Sequence, residues 1–439
     1  MRPSASAVLT HLPGRQLASI SGEASSALPF MVTAIVVGLF LPEELSFYIF
    51  GLRLTFVRLL CLMLAPVLIV KGLQKVSAGR YKFVLSDLLV LLAGFWLVYG
   101  PANVDDPVSA LNHAGPTILE FGVAYMGTRI LLSERGHALA FANLLCRAIA
   151  VVALVGALDP ITNHRFAHDL AAAIAAPMHS IDSWDDAYRL GLLRATGPIE
   201  HPILFGFTCT IGILIAASVP VRGRFFVIGA CGLGAVLAFS SAPLQVMIIG
   251  FVLLAYNSMF SRMAGRWLVL VAIGILAVSA AFVISNNPVG FIISNLTFSP
   301  ESGYYREWTW HMVTLYVSQS PWFGLGFGQL PEEINHSIDS LWLVLSIQSG
   351  YPGAVLVGLS LLGAAPIGSR GQNLTSTEKK IATIVGIVLF LTLYIAFTVH
   401  IWGSCWILTA LLIGLKAHLT ELNRLIDPRG PGLASRELW

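Results

Sequence analysis

The chain has 439 residues, of which 56% are apolar and only 11% are charged, and its mean hydropathy is +0.78. Soluble domains carry roughly 25% charged residues, so this composition excludes an ordinary soluble protein and indicates a polytopic membrane protein. The formal net charge of +3 is too small to indicate a nucleic-acid partner.

Apolar runs of about 15 to 25 residues, the length that crosses roughly 30 Å of hydrocarbon as a helix, follow one another along the chain. Helix is expected in each, because an open strand in lipid leaves backbone groups without hydrogen bonds. The sequence therefore predicts an all-α polytopic membrane protein, a single integral membrane domain over residues 1–439 with about 12 transmembrane helices. The predicted spans are about 24–41, 47–70, 83–100, 116–133, 138–158, 200–219, 225–241, 243–258, 267–285, 340–364, 381–398 and 402–416.

The basic residues predict the orientation, because cytoplasmic loops carry an excess of Lys and Arg. With a cytoplasmic N-terminus, nineteen basic residues fall in inner segments. The outer segments hold only four: Arg165, Arg189, Arg194 and Arg306. Both termini are therefore predicted to be cytoplasmic, with a short tail over 417–439. The two long loops, 159–199 and 286–339, then lie outside with eight of the eleven histidines.

Both outer loops carry patterns of their own. Residues 165–178 are Ala-rich, with apolar side chains at helical spacing, and predict a helix on the membrane surface. Residues 304–316 also repeat at helical spacing. Pro321 and the run GLGFG that follows predict the end of that helix and a tight turn.

Two outer arginines are candidates for binding phosphate. Arg194 lies in the segment RATGPIEHP, where Gly197 and Pro198 predict a turn at the membrane surface just before the sixth span. Arg306 lies in a segment rich in tyrosine and tryptophan. A guanidinium in such a place binds phosphate oxygens bidentately. The alternative is an arginine that snorkels to the interface, beside aromatic residues that form only an interfacial belt.

Arg53 and Arg58 lie in the outer half of the second predicted span. An arginine within hydrocarbon costs about 2.5 kcal/mol or more, so it normally faces a polar cavity. Both are candidates for contacts with pyrophosphate or with an acceptor, and snorkelling is again the alternative. Glu120 and Arg147 also lie within spans, where a structural ion pair explains them at least as well.

Asp339 and His336 stand three residues apart just before the tenth span. Either side chain is a candidate general base for a sugar hydroxyl, although Asp339 equally suits the N-cap of the following helix. His164 and His168 have the spacing of a zinc pair, but no third ligand is identifiable and no outer loop holds an Asp-rich motif for a divalent cation. We therefore expect neither a metal nor another cofactor.

At these residues the chain resembles the O-antigen ligase and polymerase-like family of bacterial membrane glycosyltransferases. Three short motifs carry the resemblance, and their order and spacing are the stronger signal. They are the turn Arg194-x-x-Gly197-x-x-x-x-Pro202, the outer-loop arginine followed by Pro321-x-x-Gly324-x-Gly326-x-Gly328, and the pair Gly350-x-x-Gly353.

The resemblance implies a GT-C-like fold with two large periplasmic loops in the bacterial inner membrane. It also implies transfer of an oligosaccharide from an undecaprenyl-pyrophosphate carrier, without metal, with Arg194 and Arg306 holding the pyrophosphate. The family's ligases typically read His-Asn-x-x-Leu where this chain has Asp339 to Leu343, and the aspartate variant occurs in exopolysaccharide polymerases. Two further departures are Gln348, where an acid is common, and the lack of an arginine after Ser241.

We therefore expect an inverting polymerase of undecaprenyl-pyrophosphate-linked repeat units for an O-antigen or exopolysaccharide. Its donor and acceptor would be lipid-linked oligosaccharides within the membrane, and a partner that regulates chain length is compatible with this activity. The alternative within the same class is an O-antigen ligase that transfers polysaccharide to lipid A-core. A polysaccharide transporter or flippase is the alternative from another class. Transporters usually place polar residues near the midplane on broken helices, whereas here they gather at one face.

Overall fold

A computed structural model describes residues 28–49, 52–134, 136–175, 187–263, 265–284, 300–328, 331–334, 338–364 and 373–425. Within these ranges the regular secondary structure is helical apart from two small hairpins. The candidate base His336 lies outside the described residues.

The elements follow in chain order. The first half contains α1 (Phe30–Gly38), β1 (Ser46–Ile49), β2 (Leu52–Thr55), α2 (Phe56–Ser77), α3 (Leu85–Tyr99), α4 (Pro107–Leu131), α5 (His137–Gly156), α6 (Leu158–Thr162), α7 (Phe166–Ala175), β3 (Tyr188–Arg189) and β4 (Leu192–Leu193). The second half contains α8 (Pro202–Ser218), α9 (Arg224–Leu237), α10 (Ser241–Met259), α11 (Arg266–Ile284), α12 (Pro300–Val317), α13 (Leu341–Ala364), α14 (Ser376–Ile395) and α15 (Gly403–Leu425).

Six of the described helical segments are long and apolar enough to cross a membrane. They are Phe56–Ser77, Leu85–Asn103, His137–Thr162, Ser241–Met259, Leu341–Ala364 and Gly403–Arg424. Shorter apolar helices, such as α8 and α9, lie between them. The predicted class, a multi-pass helical membrane protein, is thus confirmed, and the number of twelve spans stays a prediction.

The start of the second predicted span was wrong. Instead of a helix from residue 47, the chain forms the antiparallel hairpin β1–β2, in which Tyr48 lies opposite Arg53. Aromatic and β-branched residues in this stretch favour a strand over a helix. The helix begins at Phe56, because Thr55 accepts a hydrogen bond from the backbone N of Arg58 (3.2 Å) and so caps its first turn.

The helix ends on the side predicted to be cytoplasmic are held together by a buried ionic network. Arg129 on α4 has no exposed side-chain surface, and its Nε lies 2.9 Å from Asp87 Oδ1 on α3. Its Nη1 lies 2.6 Å from Glu421 Oε2 on α15, and the Tyr125 hydroxyl also donates to Asp87. Removing one member of such a network leaves an uncompensated buried charge, which costs about 3–5 kcal/mol.

Helix α13 is interrupted at Gly350, where φ is 70° and ψ is 175°. The loop that follows α12 fits into this break: the backbone N of Leu325 donates to the Ile347 carbonyl (2.6 Å), and the N of Tyr351 donates to the Pro321 carbonyl (2.9 Å). The backbone groups of the loop and of the broken helix therefore form hydrogen bonds with each other at the break. The Pro-Gly-rich loop and the Gly-x-x-Gly motif, far apart in the sequence, form one joint.

We predict that Gly350→Ala destabilises this joint severely. Its φ and ψ belong to a region that only glycine adopts readily, and an added Cβ would clash with the Trp322 carbonyl. The free energy of unfolding of the purified protein in detergent should fall by about 3 kcal/mol or more, since backbone strain alone accounts for about 1–3 kcal/mol.

Gly358→Ala is the matched control in the same helix. Its Cβ would lie at an ordinary 3.6 Å from the Trp342 ring, and alanine favours helix over glycine. Similar stabilities for the two variants would contradict the proposed joint.

Candidate functional site

A buried carboxylate holds the turn that carries Arg194. Asp159 has no exposed surface. Its Oδ2 accepts hydrogen bonds from the backbone N of Thr196 (2.8 Å) and of Gly197 (2.9 Å), and its Oδ1 accepts one from the N of Phe166 (3.0 Å). The start of α7 and the turn before α8 therefore share one acceptor, which determines where Arg194 lies.

Arg194 and Arg189 contact the same corner of the molecule. Nε of Arg194 donates to the Ala238 carbonyl (3.2 Å), and Nη1 of Arg189 donates to the Phe239 carbonyl (3.0 Å). Both carbonyls belong to the turn between α9 and α10. Arg194 is only 3% exposed, so it is not a snorkelling side chain at the interface.

Arg306 and Asp339 line one small cavity between α12 and the start of α13. Burial lowers the pKa of the Arg306 guanidinium; the nearby Asp339 carboxylate acts in the opposite direction, and Arg189 lowers the pKa further. Arg189, which the sequence analysis did not name as a candidate, therefore lies near Arg306 as well as near the turn that Arg194 contacts. Arg194 itself lines neither of the cavities that Asp339 lines. Nε of Arg306 is buried and has no hydrogen-bond acceptor among the described residues.

Asp339 immediately precedes the cap of α13. The helix begins at Leu341, so Ser340 rather than Asp339 holds the N-cap position, and the Ser340 hydroxyl donates to the Ala396 carbonyl (3.1 Å). This geometry disfavours the interpretation of Asp339 as a cap and leaves its carboxylate at the cavity wall.

Asp339 also lines a second, larger cavity of about 530 Å³. Its other polar and aromatic lining residues include His113, His201, Phe327, Gln348, His400 and Trp402. No lysine or arginine belongs to this lining in the described part of the chain. Burial lowers the pKa of His400 to about 4, so this imidazole is neutral near neutral pH. Asp339 therefore borders both a cavity with an arginine and a cavity of uncharged polar and aromatic groups.

Two further carboxylates hold the walls of the large cavity. Asp105 accepts a hydrogen bond from the backbone N of Phe327 (2.5 Å). Glu200 Oε1 accepts from the backbone N of Ser404 (2.8 Å) and from its hydroxyl (2.9 Å). Burial and, to a smaller extent, the neighbouring Glu43 raise the pKa of Glu200 to about 7. Glu200 thus joins the Arg194 turn to the start of α15.

The structure places Arg53 and Arg58 elsewhere. Arg58 Nε lies 2.7 Å from Glu120 Oε1, so Glu120 forms an ion pair with Arg58. Arg53 Nη1 lies 3.6 Å from Glu43 Oε2, and its Nη2 donates to the Glu43 carbonyl (2.9 Å). Neither arginine lines a cavity that Asp339 lines. Their role as phosphate contacts stays a prediction.

The two histidines at zinc-pair spacing have different partners. His168 is buried, with Nδ1 3.0 Å from Glu44 and Nε2 3.2 Å from the Ile199 carbonyl. His164 lies at the surface, 3.6 Å from Asp169. Within the described ranges, no group of three or more His, Cys, Asp or Glu side chains is arranged to hold a metal ion.

Sequence reasoning missed most of the residues that form the large cavity. His113, His201, His400 and Trp402 come from three separate stretches, and only His201 belongs to a pattern that was singled out, the Arg194 segment. The available signal was the concentration of histidines on the predicted outer side. That signal gave no indication of which of them meet.

No protein-family model matches this chain, and a search of curated proteins finds no significant match. The resemblance to the O-antigen ligase and polymerase-like family therefore rests on the motifs themselves.

Glu200 predicts a pH dependence of stability. Its folded pKa of about 7 exceeds the ordinary value of 4.5, so it contributes stability that is fully present below about pH 4.5 and is lost as the pH rises through about 7. The unfolding midpoint of the protein in detergent should therefore fall more steeply over this range than that of Glu200→Gln, which cannot ionise.

Glu332→Gln, at an exposed position, should retain the slope of the unmodified protein. Identical slopes for the unmodified protein and Glu200→Gln would show that Glu200 is not the group responsible.

Proposed function

We propose that the chain is a metal-independent, inverting glycosyltransferase of the bacterial inner membrane that polymerises undecaprenyl-pyrophosphate-linked repeat units. Twelve spans, cytoplasmic termini and periplasmic placement of the loops 159–199 and 286–339 belong to the same proposal. The observation that carries it is the position of Asp339, which lines both the small cavity beside Arg306 and the large cavity of neutral groups.

The small cavity beside Arg306, of about 10 Å³, suits a single oxygen of the leaving group, since this volume holds about one water-sized group. A pyrophosphate oxygen is a strong acceptor, and it would complete the hydrogen bonding of the buried Arg306 Nε. The nearby charge of Arg189 adds to the positive potential there. Cationic donors that are already in place stabilise the charge that develops on a departing diphosphate without reorganisation during the reaction.

The large cavity, whose described lining residues other than Asp339 are uncharged polar and apolar groups, suits sugars. A volume of about 530 Å³ lies within the range of 300–1,000 Å³ that is usual for small-molecule sites. Sugar rings present hydroxyl groups that need neutral donors and acceptors, which Gln348 and the imidazoles supply, and apolar ring faces that pack on aromatic rings such as Trp402. A phosphate in this cavity would have no cationic partner among its described lining residues.

The proposed reaction is a single displacement. The acceptor hydroxyl gives up its proton to a general base as its oxygen bonds to the anomeric carbon of the donor, the bond from that carbon to the pyrophosphate oxygen breaks, and the pyrophosphate leaves with the electron pair. One displacement inverts the anomeric configuration. Asp339 would lie near the reacting atoms, and the same role for His336 stays a prediction from the sequence.

The alternatives fit less well. The aspartate in place of the ligase histidine favours a polymerase over an O-antigen ligase within the family that the chain resembles. A transporter commonly uses a broken helix to present backbone groups to its substrate. The break in α13 is instead occupied by the chain's own loop, through hydrogen bonds of Leu325 and Tyr351.

Arginine-to-lysine variants test the proposal. With protein reconstituted in vesicles and repeat units extracted from cells that lack the gene, Arg306→Lys and Arg194→Lys should each slow polymer formation about ten- to a hundredfold. Lysine keeps the charge but loses the planar fork, and hydrogen bonds to charged groups contribute roughly 1.5–3 kcal/mol each.

The unmodified protein should work equally well in EDTA, since arginines take the place of a metal cation.

Arg262→Lys is the matched control, because Arg262 is exposed and lies on the predicted cytoplasmic side. Near-normal polymer from both outer variants, or activity lost in EDTA and restored by magnesium, would contradict the proposed chemistry.

A further inference from the structure

His113 of α4 lines the cavity of about 530 Å³ that Asp339 also lines, although it belongs to neither long outer loop. Its Nδ1 lies 2.8 Å from the carbonyl oxygen of Ser109, one helical turn earlier. A carbonyl oxygen only accepts, so Nδ1 carries the proton and donates it. Nε2 of the neutral ring therefore has the lone pair that can take up a proton.

The His113 ring is also held by stacking. Its centroid lies 5.1 Å from that of Phe327, with an angle of 12° between the ring planes. Phe327 is in turn fixed by the hydrogen bond from its backbone N to Asp105. An imidazole oriented through one nitrogen, with the other nitrogen basic, is the arrangement found where histidine acts as a base.

The other titratable groups that line the large cavity are less suited to take up a proton. His201 has the opposite tautomer, because its Nδ1 accepts a hydrogen bond from the backbone N of Ile203 (3.2 Å) and Nε2 then carries the proton. His400 is a weak base, since burial lowers its pKa to about 4. Asp339 also lines the small cavity with Arg306, so its carboxylate borders the side on which the leaving group is proposed to bind.

We propose that His113 is the general base of the glycosyl transfer, an inference that rests on the function proposed above. The proton of the acceptor hydroxyl moves to Nε2 while the hydroxyl oxygen bonds to the anomeric carbon and the pyrophosphate departs with the electron pair. The resulting imidazolium returns its proton to water, which reaches it because His113 is exposed at the cavity wall. Asp339 is then left to stabilise the positive charge that develops at the anomeric carbon.

A purely structural role, in which His113 only holds Phe327 in place, makes different predictions. His113→Phe keeps a ring to stack on Phe327 but removes the base. His113→Ala removes both and leaves space that free imidazole can enter. His164→Phe is the matched control, because His164 is a surface histidine on the same predicted side and does not line the large cavity.

The test measures turnover and KM with repeat units extracted from cells that lack the gene. His113→Phe should lower the turnover about 10²- to 10⁴-fold, the range for loss of a general base, with KM and unfolding midpoint little changed. Added imidazole should restore part of the turnover of His113→Ala and none of that of His113→Phe.

Normal turnover in His113→Phe would overturn the inference. So would a loss in His113→Ala that imidazole does not relieve and that accompanies a lower unfolding midpoint, because the role would then be structural. If the unmodified protein extends no repeat units, the proposed function itself fails, and the assignment of the base fails with it.

Discussion

The candidate site depends on the buried Asp159 carboxylate and the three backbone N–H groups that donate to it, those of Phe166, Thr196 and Gly197. Hydrogen bonds to a charged acceptor contribute roughly 1.5–3 kcal/mol each, and removing the acceptor would leave three donors unsatisfied in the interior. The turn also needs Gly197, whose φ is +56° and whose added Cβ would lie 3.0 Å from the Val152 carbonyl on α5. The hydrogen bonds to Asp159 and the close packing of Gly197 against α5 together determine the position of Arg194.

Asp105 and Glu200 act in the same way on two other turns. Asp105 holds the loop at Phe327, and Glu200 holds the start of α15 at Ser404. Each carboxylate comes from a stretch of the chain different from the turn that it holds. Hydrogen bonds therefore join segments that are far apart in the sequence. The ionic network of Arg129 connects α3, α4 and α15 at the other end of the bundle. The cavity walls are therefore short turns held on packed helices, a construction that keeps polar groups in place within a largely apolar protein.

Hydropathy identified most of the helices and the polar segments that form the site, because lipid imposes long apolar runs and leaves few positions for charge. It did not predict the β1–β2 hairpin, whose residues are apolar enough for a span but favour strand conformation. The run GLGFG around position 324 was recognised as a turn signal, whereas Gly350 was named only as part of a motif of the family that the chain resembles. That the two segments fit into one another depends on backbone hydrogen bonds between distant parts of the chain, which have no sequence pattern. His113 was missed for a similar reason, since its setting depends on the distant Phe327.

The central claim is that this chain joins lipid-linked repeat units, and the glycans that remain on the lipid carrier in cells without the gene test it most directly. Extraction of those lipids and mass determination of the released oligosaccharides distinguish the possible products. The account predicts that single repeat units on undecaprenyl pyrophosphate accumulate and that long polymer disappears. Long polymer that remains attached to the carrier would contradict it and identify a ligase instead, and an unchanged profile would contradict any role in this pathway.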